Sequence, residues 1–300
     1  MNDYGPATEA KIREVMDTAE RYGKTSIIAL AGVPGTGKSY IAAIAAQRLA
    51  SDPLLVREVQ FHPAFSYEEF VEGLRIDKSG AVTEKPGVFL EWNQAALDDP
   101  EHRYILLIEE ITRANLPSLL GELLTYIEHR DRAFHTTYSR RPVKVAPNLV
   151  ILATYNPADR SALELDNAFL RRFRVVWCPP DTGQLREMLG NRSLRSAVVD
   201  RLAALFDACR SARPAEYEHH MPFGHGIFSE VENECPDLYR LWHERIRHLI
   251  HRPWVEDNPF ADVIRRNYPW RDPNYSTPDD SPRAPLARPA DEDAQRNDGE

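Results

Sequence analysis

Gly32-Val33-Pro34-Gly35-Thr36-Gly37-Lys38-Ser39 decides the reading of this chain. It matches GxxxxGK[ST] and stands between a short apolar run, residues 26–32 (SIIALAG), and a helical pattern, residues 39–50. A glycine-rich turn in that context lets successive backbone N–H groups curl round phosphate oxygens at a helix N-terminus. The spacing predicts that Gly32 through Ser39 hold the phosphates of a nucleotide. Lys38 supplies a point charge to the outer phosphates, Ser39 ligates magnesium, and Tyr40 is counted with the cofactor-binding residues. A glycine turn with no ligand is the bland alternative; the strand before it and the helix after it argue against that.

Working outward, further apolar runs lie at residues 54–61, 104–108, 149–154 and 174–178. Helical patterns, such as residues 10–22 and 116–127, separate most of the strands. Strands alternating with helices predict a parallel sheet covered on both faces. After Pro179-Pro180 the strands stop, and residues 182–189, 196–210 and 236–250 read as amphipathic helices. The expected organisation is an α/β nucleotide-binding domain over residues 1–180, a helical lid domain over 181–255, and an extension with a disordered tail over 256–300. From about Arg271 that tail carries Pro273, Pro278, Pro282, Pro285 and Pro289 among acidic and small residues, too little apolar surface to offset ordering.

Composition narrows the class. The 300 residues are 42% hydrophobic and 28% charged, ordinary globular values with room for a sizeable core. A net charge of −9 opposes nonspecific binding of the whole chain to a polyanion, so nucleic-acid contact is expected to be local or made through a partner. No apolar run suits a membrane helix, and the opening MNDYGPATEAK lacks a signal-peptide pattern, so a cytoplasmic protein without membrane association is the expectation. Cys178, Cys209 and Cys235 are an odd, widely spaced set that reads as reduced thiols. No Ser/His/Asp or Cys/His set with motif support appears, and no nuclease-like carboxylate and lysine cluster, which leaves nucleotide hydrolysis as the chemistry.

Hydrolysis asks for a second, acidic site, and Tyr104-Ile105-Leu106-Leu107-Ile108-Glu109-Glu110 supplies a buried strand ending in two acids, the Walker B position. Ligands sit at the carboxyl ends of parallel strands, which places both acids beside the phosphates if this strand neighbours the first. Glu109 then holds magnesium through water and Glu110 orients the attacking water; a solvated acidic pair is the alternative. Asp is the more usual first acid, so Glu109 reaches one methylene further. The next run, LVILATYN, ends on Asn156, placed to sense the γ-phosphate, although Asn before Pro157 is also a turn signal. Asp166-Asn167-Ala168-Phe169-Leu170-Arg171-Arg172-Phe173 reads as a capped helix ending in paired arginines. Cations favour helix C-termini anyway, but two in tandem before a strand suggest arginine fingers reaching a neighbouring subunit's nucleotide.

Taken together, residues 26–228 resemble the AAA+ ATPases, and within them the McrB-type branch, the nucleotide-driven motors of modification-dependent restriction systems. FHPAFSYEEFVEGLR (residues 61–75), KPGVF (85–89) and EEITRANLPSLLGE (109–122) are similar to that branch's segments. In the last of these Thr112 stands where the family often writes Asn. YNPADRS (155–161) resembles the MNTADRS loop, with Tyr155 and Pro157 as departures, and GHGIF (224–228) resembles the lid motif GHSYF. The MoxR-like branch is a weaker match. The resemblance implies an AAA+ P-loop fold with a five-stranded parallel sheet in the order 5-1-4-3-2 and a helical lid. It also implies a homo-oligomeric ring, commonly a hexamer, with nucleotide between subunits and roles there for Asp159 and Arg160. For those two, a local cap or turn is the alternative. It implies ATP or GTP with Mg as cofactors, ATP being a base-rate choice, and a separately encoded McrC-like or other effector subunit. McrB-type motors usually carry an N-terminal DNA-reading domain, and only the residues before Ser26 precede the first strand here, so target recognition is expected on another polypeptide.

The function expected is an ATPase ring driving a partner subunit in an McrBC-like DNA restriction or defence system. A MoxR-like remodeller of a protein partner, a GTP-specific McrB-type GTPase, a poorly hydrolysing switch and a small-molecule P-loop kinase are the competing readings. Residues 132–144 read as a hairpin with a solvated basic side, set against a DNA or peptide contact. His219, His220 and His225 fit no zinc spacing. The aromatic stretch over residues 254–270 is expected to dock in cis rather than on a partner.

Overall fold

The structure, a computed structural model, describes residues 5–76, 78, 80–157, 171–190, 192, 194–213, 221–256 and 258–272. Its chain divides into two compact units, residues 1–187 with 216–227, and residues 188–215 with 228–300.

In the first unit the order is α1 (Pro6–Tyr22), β1 (Ile27–Ala31), α2 (Lys38–Leu49), β2 (Val56–Gln60), α3 (Tyr67–Phe70), β3 (Glu72–Ile76), β4 (Val82–Pro86) and α4 (Val88–Asp98). There follow β5 (Tyr104–Glu109), α5 (Leu116–Leu120), α6 (Leu123–Glu128), β6 (Phe134–His135), β7 (Pro142–Val143), β8 (Leu149–Tyr155), β9 (Phe173–Trp177) and α7 (Thr182–Gly190). Five of the strands form one sheet in the order β2-β5-β8-β1-β9 with every pairing parallel. Numbered by the five apolar runs, that order is the expected 5-1-4-3-2 read from the opposite edge.

The strands read as unbroken apolar runs because both faces are covered. Successive side chains alternate faces, so Ile27, Ala29, Leu106, Ile108, Ile151 and Ala153 enter the cluster containing the buried residues of α4, α5 and α6. Ile28, Leu30, Ile105, Leu107, Val150 and Leu152 enter the other, against Ile12 and Val15 of α1 and Ile41 and Ala45 of α2. Only β2, at the sheet edge, is polar, with Arg57, Glu58 and Gln60 exposed. Charged side chains there discourage pairing with another chain.

Two small antiparallel hairpins stand outside this sheet, β3 with β4 and β6 with β7. The second falls in the basic stretch read as a hairpin. The first was not anticipated, because EGLRI and VTEKP show no apolar face for a core. Glu72 joins the two: its carboxylate accepts from the backbone N–H groups of Tyr138 (2.7 Å) and Ser139 (2.9 Å) and from the Ser139 hydroxyl (2.8 Å).

The second unit is helical, with α8 (Ser196–Ser211), α9 (Glu234–Leu241), a π-helical turn (Trp242–Ile246), α10 (Arg247–Ile250), α11 (Pro253–Glu256) and α12 (Phe260–Asn267). Its interior is aromatic: Phe206 meets Phe228 edge-on at 5.9 Å and Trp242 stacks on Tyr268 at 5.4 Å. The Tyr268 hydroxyl donates to the Leu238 carbonyl at 2.7 Å, and Trp270 is buried beside it. The aromatic extension thus docks within its own unit. Cys178 and Cys209 are buried, with burial pushing their thiols up to about 11 and about 12, while Cys235 is half-buried. Residues 273–300, read above as a tail, lie outside the described residues. Among the described residues no helix is long and apolar enough to cross a membrane, and no group of three or more His, Cys, Asp or Glu is placed to hold a metal ion.

Candidate nucleotide site

The site forms where β1, β8 and β5, adjacent in the sheet, present their carboxyl ends. After β1 the chain turns through Gly35 (φ +81°) and Gly37 (φ +78°), two left-handed positions that glycine occupies without strain. Gly32 is required for a different reason: a Cβ there would lie 2.2 Å from the Cys178 carbonyl oxygen. Thr36 holds the turn from inside, its hydroxyl donating to the Val33 carbonyl at 3.0 Å. Helix α2 begins at Lys38 with Gly37 as its N-cap, so the helix N-terminus faces the mouth of the loop. Lys38 is buried, and its ammonium donates to the Val33 carbonyl at 3.2 Å. Pro34, Gly35, Ser39 and Tyr40 are exposed, Val33 is buried.

The acidic strand does not neighbour β1; β8 lies between them. The condition attached to the acids, adjacency of the two strands, is therefore not met, and Glu109 reaches the loop through a side-chain bond across the end of the intervening strand. The Ser39 hydroxyl donates to Glu109 Oε2 at 2.8 Å, bringing together the two residues assigned to magnesium. A hydroxyl and a carboxylate are the oxygen donors that a hard cation such as Mg²⁺ takes, so the residues present fit that ion, and the extra methylene of Glu109 does not keep it from Ser39. Glu110 follows in the left-handed conformation (φ 55°, ψ 45°), uncommon for a residue with a side chain. Its carboxylate accepts from Arg113 Nε at 3.4 Å, and its N–H donates to the Thr154 hydroxyl at 3.1 Å. Asn156, just past β8, is buried.

A turn from residues 224–226 buttresses the phosphate loop. Gly224 N–H donates to the Pro34 carbonyl at 2.9 Å and Gly226 N–H to the Gly35 carbonyl at 2.6 Å. Between them His225 is buried, and its Nδ1 accepts from the Asp181 N–H at 3.5 Å, leaving the proton of a neutral ring on Nε2. Burial holds this imidazole below its ordinary value, favouring the neutral ring, against the opposing charges of Asp181 and Glu187. The turn, part of a motif that resembles a lid motif in sequence, belongs to the same compact unit as the phosphate loop.

Residues 27–173 match the family model AAA domain (dynein-related subfamily). That match makes residues 27–173 an AAA domain of the AAA+ family. It is 37% identical over 186 residues to the type IV methyl-directed restriction enzyme EcoKMcrB subunit of Escherichia coli K12, covering 58% of this chain and 40% of that protein. It is 27% identical over 184 residues to the type II restriction enzyme BsuMI component YdiS of Bacillus subtilis 168, covering 47% of this chain and 54% of that protein. The chain thus spans about half or less of the length of these relatives. Among solved structures, NtrX from Brucella abortus is similar with a TM-score of 0.39 at 17% identity, over 66% of this chain and 49% of that one.

In this AAA+ domain the structure separates the two arginines. Arg172 is buried, its Nε 3.1 Å from Glu128 Oε2, whereas Arg171 is exposed. Both precede β9, and the Arg172 carbonyl accepts from the N–H of Ile27, the first residue of β1. They therefore stand at the amino end of the sheet, opposite the phosphate loop of the same chain. Asp159 and Arg160 lie outside the described residues, as do His219 and His220. Thr154 and the 224–226 buttress were missed as site elements. A hydroxyl directly after the apolar run LVILA (residues 149–153), still within β8, was the available signal for Thr154.

Proposed function

We propose that this chain hydrolyses a nucleoside triphosphate with Mg²⁺, as the motor of an McrBC-like restriction system. The observation that carries the reading is the bridge from Ser39 to Glu109 with Glu110 beside it, at the mouth of a glycine-rich loop that begins a helix. Lys38 and the loop N–H groups bind and orient the phosphates; Ser39 and Glu109 would hold the ion, which supplies charge neutralisation on the transferred phosphoryl group. Glu110 would accept the proton of the attacking water, and Asn156 would orient that water against the γ-phosphate. Arg171, exposed and remote from its own loop, is the better candidate for a finger acting on a neighbouring subunit; Arg172, paired with Glu128, holds the start of β9. The proposed assembly is a homo-oligomeric ring, commonly a hexamer, working with a separately encoded McrC-like subunit through which DNA contact arises. The two restriction-enzyme relatives support that placement over a MoxR-like remodeller.

The test is ATP and GTP turnover against protein concentration, with Glu110→Gln as control and light scattering in the same samples. Turnover per subunit that rises with assembly and vanishes in the variant supports a ring NTPase with shared sites. The preferred nucleotide then separates the ATPase reading from a GTPase. Turnover independent of concentration would sink the shared site.

A further inference from the structure

We propose that Thr154 is a positioning residue that sets both site carboxylates at once. The inference rests on the hydrolytic reading of the site and adds to it a residue with no assigned role. Thr154 is the sixth residue of β8, buried, and in register with Leu30 of β1. Everything before it in the strand is apolar, and valine, of the same shape, would suit the sheet as well. A buried hydroxyl costs free energy unless it is hydrogen-bonded, so its partners identify what it is for.

Those partners are the backbone of one acid and the side chain of the other. The Glu110 N–H can only donate, so Thr154 Oγ1 accepts there, at 3.1 Å. The hydroxyl has a single proton, and that proton goes to Glu109 Oε2. The same oxygen accepts from Ser39. Oε2 of the magnesium carboxylate is thereby fixed by two hydroxyls, one from the phosphate loop and one from β8. The second bond acts on Glu110, whose left-handed backbone turns the chain out of β5 into the 3₁₀ turn Ile111–Arg113. Strained backbone persists where surrounding contacts over-determine it, and the Thr154 hydroxyl is such a contact for the Glu110 amide. One hydroxyl thus links the direction of the metal carboxylate to that of the neighbouring base, with no contact of its own to the reacting atoms required.

The test compares Thr154→Val, Thr154→Ser and Glu110→Gln in the full chain, measuring turnover of ATP and GTP over a Mg²⁺ titration together with KM. Loss of a hydrogen bond to a charged group predicts that Thr154→Val lowers kcat by about ten- to a hundred-fold. Its Mg²⁺ half-saturation rises severalfold, while KM stays within about twofold because the phosphate loop is untouched. Thr154→Ser, which keeps the hydroxyl, restores both values. Thr154→Ala replaces the valine variant if the latter does not fold. The proposal is overturned if kcat and the Mg²⁺ dependence of Thr154→Val match wild type while Glu110→Gln is inactive. It is equally overturned if serine and valine lose activity alike. Turnover that survives in Glu110→Gln instead overturns Glu110 as the base, and a wild-type chain without turnover of either nucleotide overturns the hydrolytic reading itself.

Discussion

Gly224→Ala tests whether the buttress holds the phosphate loop in its binding geometry. A Cβ at that position would stand 2.2 Å from the Gly35 carbonyl carbon, 2.3 Å from its oxygen and 2.5 Å from the Thr36 nitrogen. All three are backbone atoms, so no side-chain rotation relieves the clash. Either the loop apex moves or the turn withdraws, and withdrawal gives up the bonds from Gly224 to Pro34 and from Gly226 to Gly35. Two backbone hydrogen bonds at about 1 kcal/mol each, with overpacking of about 1–3 kcal/mol, give a cost of about 3–5 kcal/mol. Because the displaced atoms are those that cradle phosphate, nucleotide affinity should fall along with stability. A fluorescent ATP analogue and thermal unfolding read the two effects on one sample. Gly190→Ala is the matched control: nothing lies within 4 Å of a Cβ there, so nucleotide affinity should not change and stability should hold or rise by up to about 1 kcal/mol. If Gly224→Ala binds nucleotide within about twofold of wild type at an unchanged melting temperature, the loop does not depend on this turn.

Arg130 donates to the carbonyls of Ala146 (2.7 Å), Leu149 (2.6 Å) and Gly23 (2.9 Å), and burial lowers its guanidinium to about 10. Arg130→Met removes a donor from each of these three carbonyls and should cost about 3 kcal/mol in urea unfolding, with Arg130→Lys recovering only part because one ammonium cannot reproduce the fork. Burial alone would raise the Glu72 carboxyl, but hydrogen bonds from Ser139, Thr136 and Tyr138 outweigh it and hold the group below its ordinary value of 4.5. A carboxyl depressed in the folded state stabilises above its unfolded value and loses that contribution as pH falls. The wild-type chain should therefore lose more stability than Glu72→Gln between about pH 5 and pH 3, read by thermal melts. Glu110→Gln should keep nucleotide affinity within about threefold and lose turnover by at least about a hundred-fold, measured by binding and phosphate release.

The sheet was legible because its three central strands, β1, β5 and β8, are buried apolar runs closed by a glycine or polar residue. Alternation alone then assigns its side chains to two faces. The phosphate loop was legible because GxxxxGK[ST] states a backbone requirement, seen here in the close approach at Gly32 and the left-handed Gly37. The β3–β4 hairpin was not, since Leu74, Ile76 and Val82 are exposed and leave no burial pattern to read. Nor was the buttress: Gly224 and Gly226 are needed only because the Gly35 backbone lies against them, a contact between distant segments with no local signature. The arginine pair shows the same limit, because adjacency in sequence says nothing about which guanidinium meets Glu128.

The sheet also dictates how that pair can act. In a parallel sheet all amino ends lie on one side, and β9 pairs with β1 from Phe173↔Ile27 to Trp177↔Ala31. At about 3.3 Å per residue, the five residues of β1 put about 15 Å between Arg171 and the phosphate loop of its own chain. In the proposed ring, contact of Arg171 with nucleotide would then come from a neighbour, across a head-to-tail interface that would give each chain one whole site and one donated arginine. Arg171→Ala keeps Glu110 and loses the donated group; Glu110→Gln keeps Arg171 and loses the base. Each alone should be inactive, yet mixed in equal amounts they should regain about a quarter of wild-type turnover, the fraction of interfaces at which an intact base faces an intact arginine. Arg172→Ala, by contrast, strips Glu128 of its partner and should lower stability without taking part in this complementation. If light scattering shows mixed assemblies and no ratio of the two variants recovers turnover, Arg171 does not act in trans.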